Sequence, residues 1–167
     1  MQIEYRIACP EDLNEICNLV RHATEKMIAQ DILQWDELYP DEEILCRDID
    51  KKQLNVGIID KKIAVMYVLN IECDDEYKNG QWRHGDKPYG IIHRLCVNPV
   101  FQNKGIARTT MLHIESEALA RGFQAIRLDV FTGNPIALKL YTDLGYCRAG
   151  YADWRKGRFY LMEKYLL

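Results

Sequence analysis

The sequence predicts a mixed α/β sandwich, and three observations carry the prediction. First, apolar residues recur with strand-like and helix-like periods in the order β-α-α-β-β-β-α-β-α-β-β. Second, the helical stretches are punctuated as helices should be, with Pro near their starts (Pro10, Pro135) and Gly past their ends (Gly122, Gly145). Third, the 167 residues are 48% apolar and 28% charged, the ordinary balance of a soluble globular domain. At this length one domain spanning residues 1–167 with a single core is expected.

Ile3 to Ala8 alternates apolar and polar residues and opens as a strand. Cys9-Pro10-Glu11-Asp12 then starts a helix, with Pro at its first position and acids in its first turn. Its expected buried stripe is Leu13, Ile16, Leu19, Val20, Ala23, Met27 and Ile28. A second helix follows Tyr39-Pro40, with Ile44, Leu45 and Ile49 inward. Leu54 to Ile59 and Ile63 to Ile71 flank the turn Asp60-Lys61-Lys62 as a hairpin. After a polar stretch, Tyr89 to Val97 is a strand, Lys104 to Arg121 a helix, and Ala125 to Val130 a short strand. Asn134-Pro135 opens another helix, and Tyr146 to Gly150 and Arg158 to Tyr165 are the last two strands, around Lys156-Gly157.

Several function classes are disfavoured. The longest apolar run, Ile63 to Leu69, is seven residues, far below a membrane span, so no membrane role is expected. Lys plus Arg number 22 against 25 Asp plus Glu, and that acidic balance argues against a dedicated nucleic-acid binder. Met1 to Arg6 lacks the basic start and apolar stretch of a secretion signal, which points to a cytoplasmic protein. The six cysteines are irregularly spaced. Cys17, Cys46, Cys96 and Cys147 sit inside apolar patterns, where a reduced thiol packs as a small hydrophobe. No CxxC pair or His spacing suggests a metal, so none is expected.

The segment Leu95-Cys96-Val97-Asn98-Pro99-Val100-Phe101-Gln102-Asn103-Lys104-Gly105-Ile106-Ala107-Arg108 is the most informative. A strand ends at Val97 and a helix begins near Lys104, so Gln102 to Ala107 straddles a helix N-terminus. Such an end offers unpaired N–H groups and a positive pole, a ready site for phosphate. Gly105 lets the backbone approach a bulky anion, and Lys104 and Arg108 add positive charge. An ordinary strand-to-helix turn would also explain the glycine.

Together with Asn134-Pro135-Ile136-Ala137-Leu138-Lys139-Leu140-Tyr141 and Leu144-Gly145-Tyr146, this segment resembles the GNAT superfamily of N-acetyltransferases. Gln102-x-x-Gly105-x-Ala107 matches the family's acyl-CoA pyrophosphate loop, and Phe159 to Lys164 looks like its closing strand. The resemblance is strong over residues 88–167 and extends to the whole chain by element order. It implies a mixed, mostly antiparallel sheet of about seven strands with helices on both faces. It also implies acetyl-CoA as cosubstrate, without a metal.

Carried over by position, the resemblance implies that the backbone of Leu95, Cys96 and Val97 bonds the pantetheine arm. Gln102, Asn103, Lys104, Gly105, Ile106, Ala107 and Arg108 hold the pyrophosphate. Asn134 reaches the cofactor near the thioester, and Tyr141 points its hydroxyl at the sulfur as an acid for the departing thiolate. Asn134 and Tyr141 are seven residues apart and share a helix face. A helix cap would equally explain Asn134, and a core aromatic Tyr141. The chemistry implied is direct attack of an amine on the acetyl thioester, with backbone N–H groups of Cys96 or Val97 for the oxyanion. His93, two residues before Leu95, is a candidate base. A water chain ending at Glu72, Asp129 or Tyr67 is the other option, and alternation of Ile91, His93, Leu95 and Val97 allows His93 to be merely packed.

Acceptor binding falls to Ile32-Leu33-Gln34-Trp35 with Tyr39, to the acidic Glu72-Cys73-Asp74-Asp75-Glu76, and to the exposed-looking Trp82 loop. Trp35 and Tyr39 either wall a slot or staple two helices. The acidic segment either attracts a cationic amine or is a solvated tip. The expected partner is a primary amine, as a small molecule, amino acid, protein N-terminus or lysine, with no nucleic acid. Many relatives pair as homodimers. A non-catalytic acyl-CoA-binding sensor is the rival reading, which thiol release with an amine would exclude.

Overall fold

A computed structural model describes residues 2–167, so Met1, the first residue of the N-terminal stretch read for a signal, lies outside the described residues. The chain forms β1 (Glu4–Ile7), α1 (Leu13–Ala29), α2 (Glu42–Asp50), β2 (Leu54–Ile59), β3 (Lys62–Asn70) and β4 (Tyr89–Val97). There follow α3 (Ile106–Ala120), β5 (Ala125–Phe131), α4 (Pro135–Asp143), β6 (Cys147–Trp154) and β7 (Gly157–Tyr165). The seven strands order as β1-β2-β3-β4-β5-β7-β6. The β4–β5 pair is parallel, while β1–β2, β2–β3, β5–β7 and β6–β7 are antiparallel. The chain falls into two compact units, Met1–Leu69 with Arg94–Thr110, and Asn70–His93 with Met111–Leu167.

In the first unit, the inward stripe of α1 is Ile16, Leu19, Val20 and Ala23, and α2 adds Leu45 and Ile49. These pack with Leu54, Val56, Met66, Val68 and Cys96 in one cluster. A second cluster holds Ile59, Ala64, Val65, Phe101 and Ile106, with Leu95 and Val97 against it. Strand β3 is buried along Ile63 to Leu69, which is why its apolar run does not alternate. Ile28 departs from its expected place and is exposed, because it lies roughly 120° around the helix from Ile16. The expected β2–β3 hairpin forms, but its turn is Asp60-Lys61 alone: Lys62 already pairs with Ile59, and Asp60 and Lys61 both adopt positive φ, the geometry a two-residue hairpin requires. Start positions shift slightly elsewhere: Pro10–Asp12 is a single 3₁₀ turn ahead of α1, closed by Asp12, whose carboxylate accepts from the Cys9 N–H at 2.9 Å.

Trp35 joins the α1–α2 cluster at 6% exposure, so it staples the helices rather than walling a slot. Asp48 lies on the inward face of α2 between Leu45 and Ile49, and its carboxylate takes a two-pronged ion pair from Arg94 of β4, at 2.7 and 2.8 Å. The third Arg94 nitrogen donates to the Tyr39 hydroxyl at 3.0 Å. Arg94 itself has φ +52, a rare conformation for a non-glycine residue, and it breaks the alternation that β4 was expected to keep from Ile91 to Val97.

In the second unit, β5 pairs β7 from Ala125↔Tyr165 to Phe131↔Phe159, and β6 pairs β7 on its other side. Tyr77, Ile91, Ala152 and Leu161 form its cluster, with Trp82, Tyr89 and Trp154 alongside. Trp82 is therefore half-buried, not exposed: its indole N–H donates to the Tyr77 carbonyl at 2.9 Å, and its ring stacks on the Arg127 guanidinium. The Leu-Gly-aromatic turn after α4 is a Schellman cap. Tyr146 N–H donates to Tyr141 O and Gly145 N–H to Thr142 O, both at 3.0 Å, with Gly145 at φ +91. All six cysteines are reduced; Cys96 is buried, but Cys147 lies exposed on the edge strand β6, contrary to its expected packing.

Candidate functional site

In the first unit, β4 gives way to α3 through a turn that the sequence fixes at three points. Asn98 donates its backbone N–H to Ala64 O at 2.8 Å and its side-chain amide to Ile63 O at 3.1 Å, while its side-chain oxygen accepts from Val100. The Gln102 amide donates to the Val97 carbonyl at 3.1 Å, so Gln102 braces the loop from within. Ile106, only 3% exposed, buries the first helical residue beside Phe101 and Val65. Between these anchors Asn103, Lys104 and Gly105 are exposed, and Asn103 and Gly105 take positive φ.

The first helical bond is donated by Thr109 to Gly105 O at 3.0 Å. The N–H groups ahead of Thr109 therefore form the donor-rich end of α3, with its positive pole. A Cβ built on Gly105 would meet nothing within 4 Å, so the space facing this turn is open. Lys104 stands over the Phe101 ring at 5.5 Å, and neither Lys104 nor Arg108 is in an ion pair with a described residue. Open space, main-chain donors and uncompensated positive charge fit a diphosphate. Gln102 to Arg108 and Leu95 to Val97 are thus brought together in one unit. The β4–β5 ladder covers Tyr89 to Ile91, so Leu95, Cys96 and Val97 lie beyond its last pair.

The second unit holds Asn134, Tyr141 and His93. The Asn134 side-chain oxygen caps α4, accepting from Ala137 N–H at 3.0 Å, and Pro135 follows at the first helical position. Tyr141 is buried on α4, edge-on to Tyr146 with ring centroids 5.9 Å apart. Its hydroxyl hydrogen-bonds to no described residue. Burial, reinforced by the Asp129 carboxylate, pushes that hydroxyl well above the usual tyrosine range, so it is protonated throughout the neutral region. Asp129 accepts from the Tyr77 hydroxyl at 2.7 Å.

His93 Nε2 lies 2.9 Å from Glu72 O and 3.0 Å from Asn70 Oδ1. A carbonyl can only accept, so Nε2 carries a hydrogen, and proton abstraction by His93 has to run through Nδ1. Glu72 to Asp75 are exposed, followed by a 3₁₀ turn over Asp75–Asn79. Among the described residues no group of three or more His, Cys, Asp or Glu is placed to hold a metal. No helix among them is long and apolar enough to cross a membrane.

The Arg94–Asp48 pair, to which Tyr39 is joined, lies outside the candidate residues of the sequence. Its one sequence signal is Asp48, a carboxylate at an inward helical position between Leu45 and Ile49, which demands a buried partner. The positive φ of Arg94 leaves no mark in the sequence.

The acetyltransferase (GNAT) family matches residues 11–146 of this chain. Mycothiol acetyltransferase of Streptosporangium roseum is 34% identical over 70 residues, which are 42% of this chain and only 21% of that protein. Among solved structures, a GNAT-family acetyltransferase from Streptococcus agalactiae superposes with TM-score 0.85 at 22% identity, covering 98% of this chain and 95% of its own. The PaiA N-acetyltransferase of Thermoplasma acidophilum, solved with coenzyme A, gives TM-score 0.74 at 22% identity and covers 99% of each chain. Those two likenesses concern the fold. The family match over most of its length, on a fold shared nearly end to end with solved acetyltransferases, makes this chain a member of the GNAT acetyltransferase family.

Proposed function

We propose that residues 1–167 act as one N-acetyltransferase domain that moves an acetyl group from acetyl-CoA to a primary amine, on a small molecule or a peptide. The observation that carries this reading is the start of α3, where exposed main-chain donors, the open face of Gly105 and the charges of Lys104 and Arg108, in no ion pair among the described residues, suit a diphosphate. When bound, acetyl-CoA supplies the activated acetyl thioester. The chain supplies the rest. Gln102 to Arg108 hold the anion, with Gln102 keeping the loop rigid through Val97. The backbone of Leu95, Cys96 and Val97 aligns the arm of the ligand.

Tyr141 delivers a proton to the departing sulfur. Its support is a buried hydroxyl that no described residue uses and that stays protonated, the state an acid requires. Asn134 caps α4 through its side-chain oxygen and opens the helix that carries Tyr141. His93, through Nδ1, is the candidate base, and its Nε2 contacts to Asn70 and Glu72 set the ring's orientation. The test is transfer of labelled acetyl from acetyl-CoA across amines, amino acids and peptides, with mass-spectrometric identification of the N-acetyl product. Acetylation of an amine supports the reading. Stoichiometric coenzyme A binding without any transfer over a broad panel refutes it in favour of a sensor.

A further inference from the structure

A cavity of about 270 Å³ opens in the second unit, walled by Arg83, His84, Arg148, Glu163, Lys164 and Tyr165 among others. Its walls are zipped rather than loose. Gln81 N–H donates to Ala149 O at 2.7 Å, Asn79 donates to Tyr151 O at 3.3 Å, and the His84 ring stacks on Tyr165 at 4.4 Å. Tyr165 pairs with Ala125 at the start of β5, whereas Asn134 follows the other end of that strand. The two places are separated by the run of β5, roughly 20 Å. The cavity thus lies apart from Asn134; its Gly145 wall follows the end of α4, but Tyr141 itself is not among the lining residues.

The charges in the wall do not cancel. Glu163 accepts from Arg127 at 3.0 Å and from the His84 N–H at 3.2 Å, so its charge is met from behind the lining. Lys164 is met by Glu115 at 2.7 Å. Arg83 and Arg148 have no carboxylate partner among the described residues; Arg148 lies over the Tyr160 ring at 3.9 Å. Arg127, clamped between Tyr89 and Trp82, keeps one buried nitrogen without an acceptor, so donors exceed acceptors around Glu163. In a chain with three more acids than bases, two exposed arginines that line one cavity, with no carboxylate partner among the described residues, leave it a basic wall suited to an anion.

We propose that this cavity binds a small dianion, with Arg83 and Arg148 as its two guanidinium contacts. Planar guanidinium forks match carboxylate and phosphate equally, so a phosphate group or a pair of carboxylates fits the same chemistry. The volume admits a ligand below drug size.

The test is titration calorimetry with orthophosphate and with succinate, in the presence of saturating coenzyme A so that the α3 start is filled. Acetate serves as the monoanion control. Saturable one-to-one binding of either dianion, weakened roughly tenfold or more by both Arg83→Gln and Arg148→Gln, is the expected result, and which dianion binds identifies its class. Both arginines are exposed, so the variants keep the fold, which circular dichroism checks. No saturable binding of either dianion, binding equal to that of acetate, binding untouched by the two variants, or binding abolished by coenzyme A overturns the proposal.

Discussion

Replacing Gly105 by Ala separates the two things this glycine does. Its φ of +76 is strained for any residue with a Cβ, at a cost of about 1–2 kcal/mol. The new methyl meets no protein atom within 4 Å, so no steric term adds to that strain. For a chain of this length the expected fall in Tm is roughly 2–8 °C. The methyl does, however, project into the space an anion must enter to reach the main-chain donors ahead of Thr109. Loss of one such charge-assisted bond, about 1.5–3 kcal/mol, weakens coenzyme A roughly 10- to 150-fold. Gly122→Ala is the matched control, because Gly122 has φ +88, also meets nothing within 4 Å, and caps the opposite end of α3. Calorimetry with coenzyme A should find Gly105→Ala much weakened and Gly122→Ala unchanged, at similar cost in Tm. Equal affinity in the two variants would falsify the diphosphate assignment.

Tyr141→Phe should lower kcat roughly 10²-fold with little change in KM for acetyl-CoA, and should leave Tm nearly unchanged because no protein hydrogen bond is lost; undiminished turnover removes Tyr141 from the mechanism. If Nδ1 of His93 is the base, His93→Ala erases the acidic limb of the kcat/KM–pH profile, and a profile identical to wild type ends that role. Asp12 is held down at about 2, chiefly by its hydrogen bonds from Arg6 at 2.7 and 2.8 Å. A lowered carboxyl stabilises the fold above its unfolded value near 3.9 and loses that as pH falls toward 2. Asp12→Asn should therefore flatten the loss of stability between about pH 4 and 2, by about 1 kcal/mol once the exposure of Arg6 is discounted; an unchanged slope in acid denaturation argues against the pair. Burial pushes the Cys96 thiol up to about 12, so a thiol reagent at pH 8 should label exposed Cys147 in the native protein and Cys96 only after unfolding. Labelling of native Cys96 contradicts its packing.

What was legible in the sequence is what short-range physics writes there. The Asn134-Pro135 start and Gly122 and Gly145 stops appear because each is demanded by local backbone geometry, and the structure shows the cap and both Schellman turns. The α3 start was legible for the same reason, since a strand, an Asn-Pro turn and a glycine before a helical stripe leave few backbone paths. The misses are tertiary. The outward placement of Cys147 follows from β6 being an edge strand, which no local pattern states. Trp82 looks exposed in a polar loop but is drawn in by a buried guanidinium 45 residues away in sequence. The positive φ of Arg94, whose guanidinium pairs with Asp48 and Tyr39, interrupts β4, so alternation could not assign the face of His93.

The account depends most on the main-chain donors ahead of Thr109 being the anion site, and a crystal structure with bound coenzyme A tests that directly. The diphosphate oxygens should lie within hydrogen-bond distance, about 2.7–3.2 Å, of backbone nitrogens in the Gln102 to Arg108 segment. A diphosphate seated anywhere else on the chain, with these nitrogens bonded only to water, contradicts it.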